Sequence, residues 1–105
     1  MPTPTFRYER RFIVRLEDPG DPRAVGGAVT VALCGHWDHE GPCRWPHHTE
    51  ALSAEDGTHR IIVRFDSPED EHPAVSDRID GAIQSGAQAG PDGRVSRWAL
   101  VSTRS

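Results

Sequence analysis

Lysine and asparagine are absent from this 105-residue chain, so all twelve of its basic residues are arginine. Arginine, alanine, glycine, proline, valine and aspartate are abundant, the bias that a GC-rich coding sequence produces. The arginine excess is therefore not, by itself, a sign of phosphate recognition. Also lacking is any apolar run near the roughly 18 residues that a membrane span needs. Met1 to Arg7 has no apolar core of signal-peptide length. These absences predict a cytoplasmic protein in a reducing compartment, where its two cysteines serve as thiols or ligands. No glycine-rich phosphate loop is present, because Gly26-Gly27 stands ahead of a predicted strand and not between strand and helix. Ser67 to Glu71 is acidic but lacks the alternating ligand spacing of a calcium loop. A net charge of −4 argues against a general nucleic-acid or membrane surface.

What the chain does hold is concentrated. Between Cys34 and His48 lie both cysteines and four of the six histidines. Thiolate sulfur and imidazole nitrogen are donors that borderline-soft divalent metals favour, and Asp38 and Glu40 add carboxylate oxygen. Apolar residues make up only 35% of the chain, but they fall in patterned runs, as expected for one folded domain over 1–105.

Phe6 to Leu16 alternates apolar and polar residues and predicts a half-buried strand, with an irregularity at Arg10-Arg11 where a charge falls on the apolar parity. Asp18-Pro19-Gly20-Asp21-Pro22 breaks it. Val29, Val31 and Leu33 predict a second strand over Gly27 to Cys34, followed by a Cys/His-rich loop at 34–50 with a helical turn near Thr49 to Ala54. Thr58 to Phe65 reads as a third strand. Val75, Ile79, Ala82, Ile83 and Ala87 recur at helical spacing behind an acidic helix start. A last strand runs over Val95 to Ser102. The order β-β-β-α-β predicts a two-layer α+β domain: one mixed four-stranded sheet with a single helix on one face, the last strand parallel to the third. By its count of elements, this resembles a reduced ferredoxin-like plan.

If the second strand reaches His36, then Cys34 and His36 share a face. Cys43 and His47 would return opposite them, and Cys34, His36, Cys43 and His47 would form a tetrahedral S2N2 set suited to zinc, with His39 or His48 as substitutes. Four protein ligands make such a site structural. Three leave a water, with Glu40 or Asp38 as a base. The same residues also allow a plain loop, a Cys34–Cys43 disulfide, or a thiolate–imidazolium pair of Cys34 with His36 or His47.

The strand parities give a second expectation. Arg7, Arg11, Arg15, Arg60 and Arg64, with Cys34 and His36, should lie on the face that the helix leaves open. Such a face suits an anionic ligand, an acidic protein partner, a homodimer or, with Trp stacking, single-stranded nucleic acid, unless the arginines are simply paired with Glu9 and Glu17. His59 and His72 are expected to be exposed. The sequence reading is thus a zinc-binding domain of accessory type and not an enzyme, with a metal-free arginine-face interaction module or a small metal-dependent enzyme as alternatives.

Overall fold

A computed structural model describes residues 6–17, 20–34, 45–54, 56–90 and 93–104. Strand β1 spans Tyr8–Leu16, helix α1 Arg23–Cys34, strand β2 His47–Ser53 and strand β3 Thr58–Phe65. A short 3-10 turn at Glu69–Glu71 leads into helix α2, His72–Ser85; strands β4, Ala87–Ala89, and β5, Val95–Arg104, close the chain. The sheet order is β2-β3-β1-β5-β4, and every pairing is antiparallel.

The α+β class stands, but the sheet is antiparallel with five strands, and two helices cover it. β3 and β5 do run the same way, with β1 inserted between them. In the same manner β3 lies between β1 and β2. The units β1-α1-β2 and β3-α2-β5 are therefore two interleaved split strand-helix-strand units, the arrangement of the ferredoxin-like plan.

The largest correction falls on residues 27–34, which are helical. Ala24, Val25, Ala28, Val29 and Leu33 are all buried, at a spacing of one, three or four residues, which is one stripe of a helix. The Asp21 carboxylate accepts from the Arg23 N–H at 2.9 Å, capping the first turn just after Pro22. Thr49 to Ser53 is strand as part of β2, so the helical turn expected there is absent.

The β1–β3 register runs unbroken from Tyr8↔Phe65 to Arg15↔Thr58, without the irregularity expected at Arg10-Arg11. Arg10 stays on the apolar parity and is satisfied from across the layer. Its Nε and Nη2 donate to the Asp80 carboxylate of α2 at 2.9 and 2.8 Å, and its guanidinium lies over the Phe12 ring. The bulge in the sheet is between β1 and β5, at Ile13/Val14.

One buried cluster fills the space between helices and sheet: Phe12 and Val14 of β1, Ile61, Val63 and Phe65 of β3, Trp98 of β5, and the inner sides of α1 and α2. Gly86 ends α2 at φ 72°, and a Cβ there would come within 2.8 Å of the Trp98 carbonyl. The Trp98 indole N–H donates to the Ile83 carbonyl at 2.8 Å, tying β5 to the end of α2.

Candidate functional site

Both helices pack on the sheet face that carries Phe12, Val14, Ile61 and Val63. Strand alternation then places the intervening residues on the other face, which no helix of the described residues covers, although Ile62 and Thr58 are buried there. Cross-strand register arranges this open face in rows. His48, Arg64 and Glu9 form one row, Glu50, Ile62 and Arg11 the next, and Leu52, Arg60, Ile13 and Ser102 a third. Beyond these come Thr58, Arg15 and Ala99. Arg97 of β5 follows two residues before Ala99, on the same parity. The expected arginine face therefore exists for Arg11, Arg15, Arg60 and Arg64. Arg7, ahead of β1, instead donates to Asp66 at 2.7 Å and to the Ser67 carbonyl.

The two ends of this face differ. At the first, Arg11 pairs with Glu9 at 2.7 Å, and Arg64 bridges Glu9 at 3.2 Å and Glu50 at 3.0 Å. Glu9 is held below the usual carboxylate range, chiefly by its hydrogen bond from Arg11, with Arg64 adding to the effect. Of the expected carboxylate partners, Glu9 takes part and Glu17 makes no ion pair among the described residues.

At the second end Arg60 is exposed, and no carboxylate of the described residues lies within ion-pair distance of it. Its direct cross-strand neighbours are aliphatic, Leu52 on one side and Ile13 on the other, with Ile62 two residues along β3. Leu52 is 48% exposed, one of the few large apolar side chains left in water. A depression of about 300 Å³ lined by Arg11, Phe12, Ile13 and Arg60 opens here. Arg15 gives one N–H to the Asp56 carbonyl at 3.1 Å, and Arg97 is exposed with no ion pair among the described residues. A larger depression of about 450 Å³ lies beside the start of α1, but its charges, Asp21 and Arg23, close on each other at 2.9 Å.

Compared with protein-family models, curated proteins and solved structures, the chain matches none. Its function has to be read from its own residues.

The Cys/His segment proves to be the connection from α1 to β2. Cys34 is the last residue of α1, and His47 and His48 open β2. His36, His39 and Cys43 lie outside the described residues. The premise that Cys34 and His36 share a strand face does not hold, because residue 34 is helical. Among the described residues no three His, Cys, Asp or Glu side chains gather as a metal-holding group. His47 faces the helix layer. Its Nδ1 lies 3.0 Å from the Trp45 carbonyl, which can only accept, so Nδ1 carries a proton. Its Nε2 lies 3.3 Å from the Thr30 hydroxyl, itself 3.0 Å from the Gly26 carbonyl. His48 is on the open face, 3.8 Å from Glu50.

Both ends of this connection are anchored on α2. The Trp45 indole donates to Glu71 at 3.0 Å, and Arg78 lies over its ring. Arg78 also donates to the Ala32 carbonyl in the last turn of α1, at 3.3 Å. Trp45 and Trp98 are buried, and no Phe, Tyr or Trp occupies an open-face position of the described strands; Trp37 lies outside the described residues. The two outlying histidines are not the exposed residues that the sequence suggests. His72 stacks on Tyr8 with centroids 4.0 Å apart, and His59 is half-buried with its Nδ1 lacking a hydrogen-bond partner. No helix among the described residues is long and apolar enough to cross a membrane.

Proposed function

We propose that this chain is a binding domain, not an enzyme, and that it works through the arginines on the helix-free face of its sheet. The observation that carries this reading is the row pattern of that face: five arginines across β1, β3 and β5, with ion pairs to carboxylates, among the described residues, at one end only. A chain of net charge −4 that gathers cations on one surface has a surface suited to an anionic partner. The described strands carry no aromatic side chain on this face for bases to stack on, which favours an acidic partner over single-stranded nucleic acid. A two-fold dimer formed by this face would set the arginines of two copies against each other, which disfavours a homodimer there.

The test is a nitrogen-15 amide spectrum of the protein titrated with short poly-L-glutamate at low salt. Shift changes confined to β1, β3 and β5 support the reading. Changes confined to the helices, or none at all, overturn it.

A second reading rests on a different observation, the gathering of six sulfur and nitrogen donors in one connection of the chain. In it, zinc held by Cys34, His36, Cys43 and His47 pins that connection and has a structural role. His47 would have to give up its Thr30 contact to present Nε2 to a metal. About one zinc per chain by elemental analysis, together with a chelator-sensitive melt, would establish it. Metal-free protein with an unchanged melt would remove it.

A further inference from the structure

Resting on the open-face reading above, we infer that the partner is a protein segment that presents carboxylate and aliphatic side chains together on one side, and that it docks at the Arg60 end of the face. The inference starts from what surrounds Arg60. A guanidinium on a protein surface ordinarily stands in water or beside a carboxylate. Arg60 stands between Leu52 and Ile13, with Ile62 beside it, and has no carboxylate among the described residues. Water is a poor covering for Leu52 and the half-exposed Ile13 (Ile62 is already buried), and a purely aliphatic partner would bury the guanidinium without an acceptor, a costly outcome. A partner that satisfies both supplies a carboxylate to Arg60 and methyl groups to Leu52 and Ile13. A bidentate arginine–carboxylate pair in a site half-shielded by aliphatic side chains is stronger than one in open water.

Charge decides the end of the face. Near Glu9 and Glu50 an incoming carboxylate meets two acids whose arginines are already engaged. Toward β5 it meets Arg97, which has no ion pair among the described residues, and Arg15, which bonds the Asp56 carbonyl and attracts its carboxylate without forming an ion pair. An extended segment with a carboxylate and an aliphatic residue two apart presents both to this face, the carboxylate to Arg60 and the aliphatic side chain to Leu52 and Ile13, since side chains two apart in a strand lie on one side. The depression lined by Arg11, Ile13 and Arg60 marks where the first carboxylate and its neighbouring aliphatic group sit.

The experiment uses two capped peptides, one with the repeat leucine-serine-glutamate-serine and one with the repeat leucine-serine-glutamine-serine, which place leucine and glutamate or glutamine on one side of an extended chain, titrated into the nitrogen-15-labelled protein. The glutamate peptide is expected to shift the amides of Leu52, Ile13, Arg60 and Ser102, and the glutamine peptide to bind at least tenfold more weakly. Arg60→Gln should weaken the glutamate peptide about tenfold or more, and Leu52→Ser severalfold. Both positions are exposed, and an unchanged melt of each variant separates lost binding from lost folding. Shifts centred on Arg64 and Glu50 would leave the open-face reading standing and overturn this inference. Equal binding of the two peptides overturns it too, as does concentration-dependent broadening without peptide, which would make a second copy the occupant. No shift on any strand removes both readings.

Discussion

Arg10, half-buried, and Arg60, exposed, both sit among apolar side chains on opposite faces of the same sheet. Arg10 faces the helices, opposite Val63 and over Phe12, and Asp80 of α2 meets it with two hydrogen bonds. Arg60 faces away, between Leu52 and Ile13, and no carboxylate meets it among the described residues. Where an arginine lies against the protein's own core, the fold provides its counter-charge. Where the same chemistry is turned outward, the counter-charge is left to something else. That difference separates a residue that serves the fold from one available for binding.

The comparison is broken most severely from the covered side. Phe12→Ala empties a site only 1% exposed and should cost about 3–5 kcal/mol in urea unfolding, enough to threaten a small domain. Asp80→Asn comes next. It leaves the Arg10 guanidinium, whose side chain is 20% exposed, without its charged partner, for an expected loss of about 1–2 kcal/mol, reduced by its residual contact with water. Arg10→Met should recover part of that loss in the Asp80→Asn background, because no unpaired charge then remains.

Acid sharpens the comparison at the neutralised end of the open face. Glu9 is held low by Arg11 and Arg64, Asp21 by Arg23, and Asp56 by the Thr58 hydroxyl. A carboxyl group depressed in the folded state binds its proton more weakly there than in the unfolded chain. Its stabilisation is complete above the unfolded value near pH 4 and is lost as pH falls through the lower, folded value. Stability should therefore be level from about pH 7 to 5 and decline below about pH 4, with a shallower decline in Glu9→Gln. Denaturant melts at a series of pH values check this. The smallest effect belongs to Arg60→Gln, expected within about 0.5 kcal/mol of the parent, because the Arg60 side chain is exposed and makes no ion pair or hydrogen bond among the described residues.

Much of the covered face was legible in the sequence. The alternation of Phe12, Val14 and Leu16, the Ile61-Val63-Phe65 parity and the spacing of Val75, Ile79 and Ile83 each reflect a period set by burial, and burial follows them. The same parities put Arg11, Arg15, Arg60 and Arg64 on one face, as the strand pairing does. The stretch 27–34 misled because Val29, Val31 and Leu33 alternate over a window too short to separate the two periods, and because β-branched residues favour strands. Two glycines also count against a helix. The overlooked signal was Asp21-Pro22, a cap followed by a residue suited to a helix start, which reads equally well as a turn. β2 was missed for a similar reason. His47-His48-Thr49-Glu50 has no apolar alternation of its own and is a strand because β3 and α1 hold it there. Which arginines would be neutralised was not legible, since Glu9 and Glu50 reach Arg64 from two different strands.

The most direct measurement is the side-chain Nε–Hε spectrum of the arginines in the protein alone, with hydrogen exchange followed near neutral pH. A guanidinium held by a carboxylate exchanges slowly, and one standing in water exchanges fast. The account predicts slow, resolved signals for Arg10 and Arg64 and a fast-exchanging signal for Arg60. A protected Arg60 would mean that the chain already supplies its partner, and the distinction between the two arginines, with the binding role built on it, would fall.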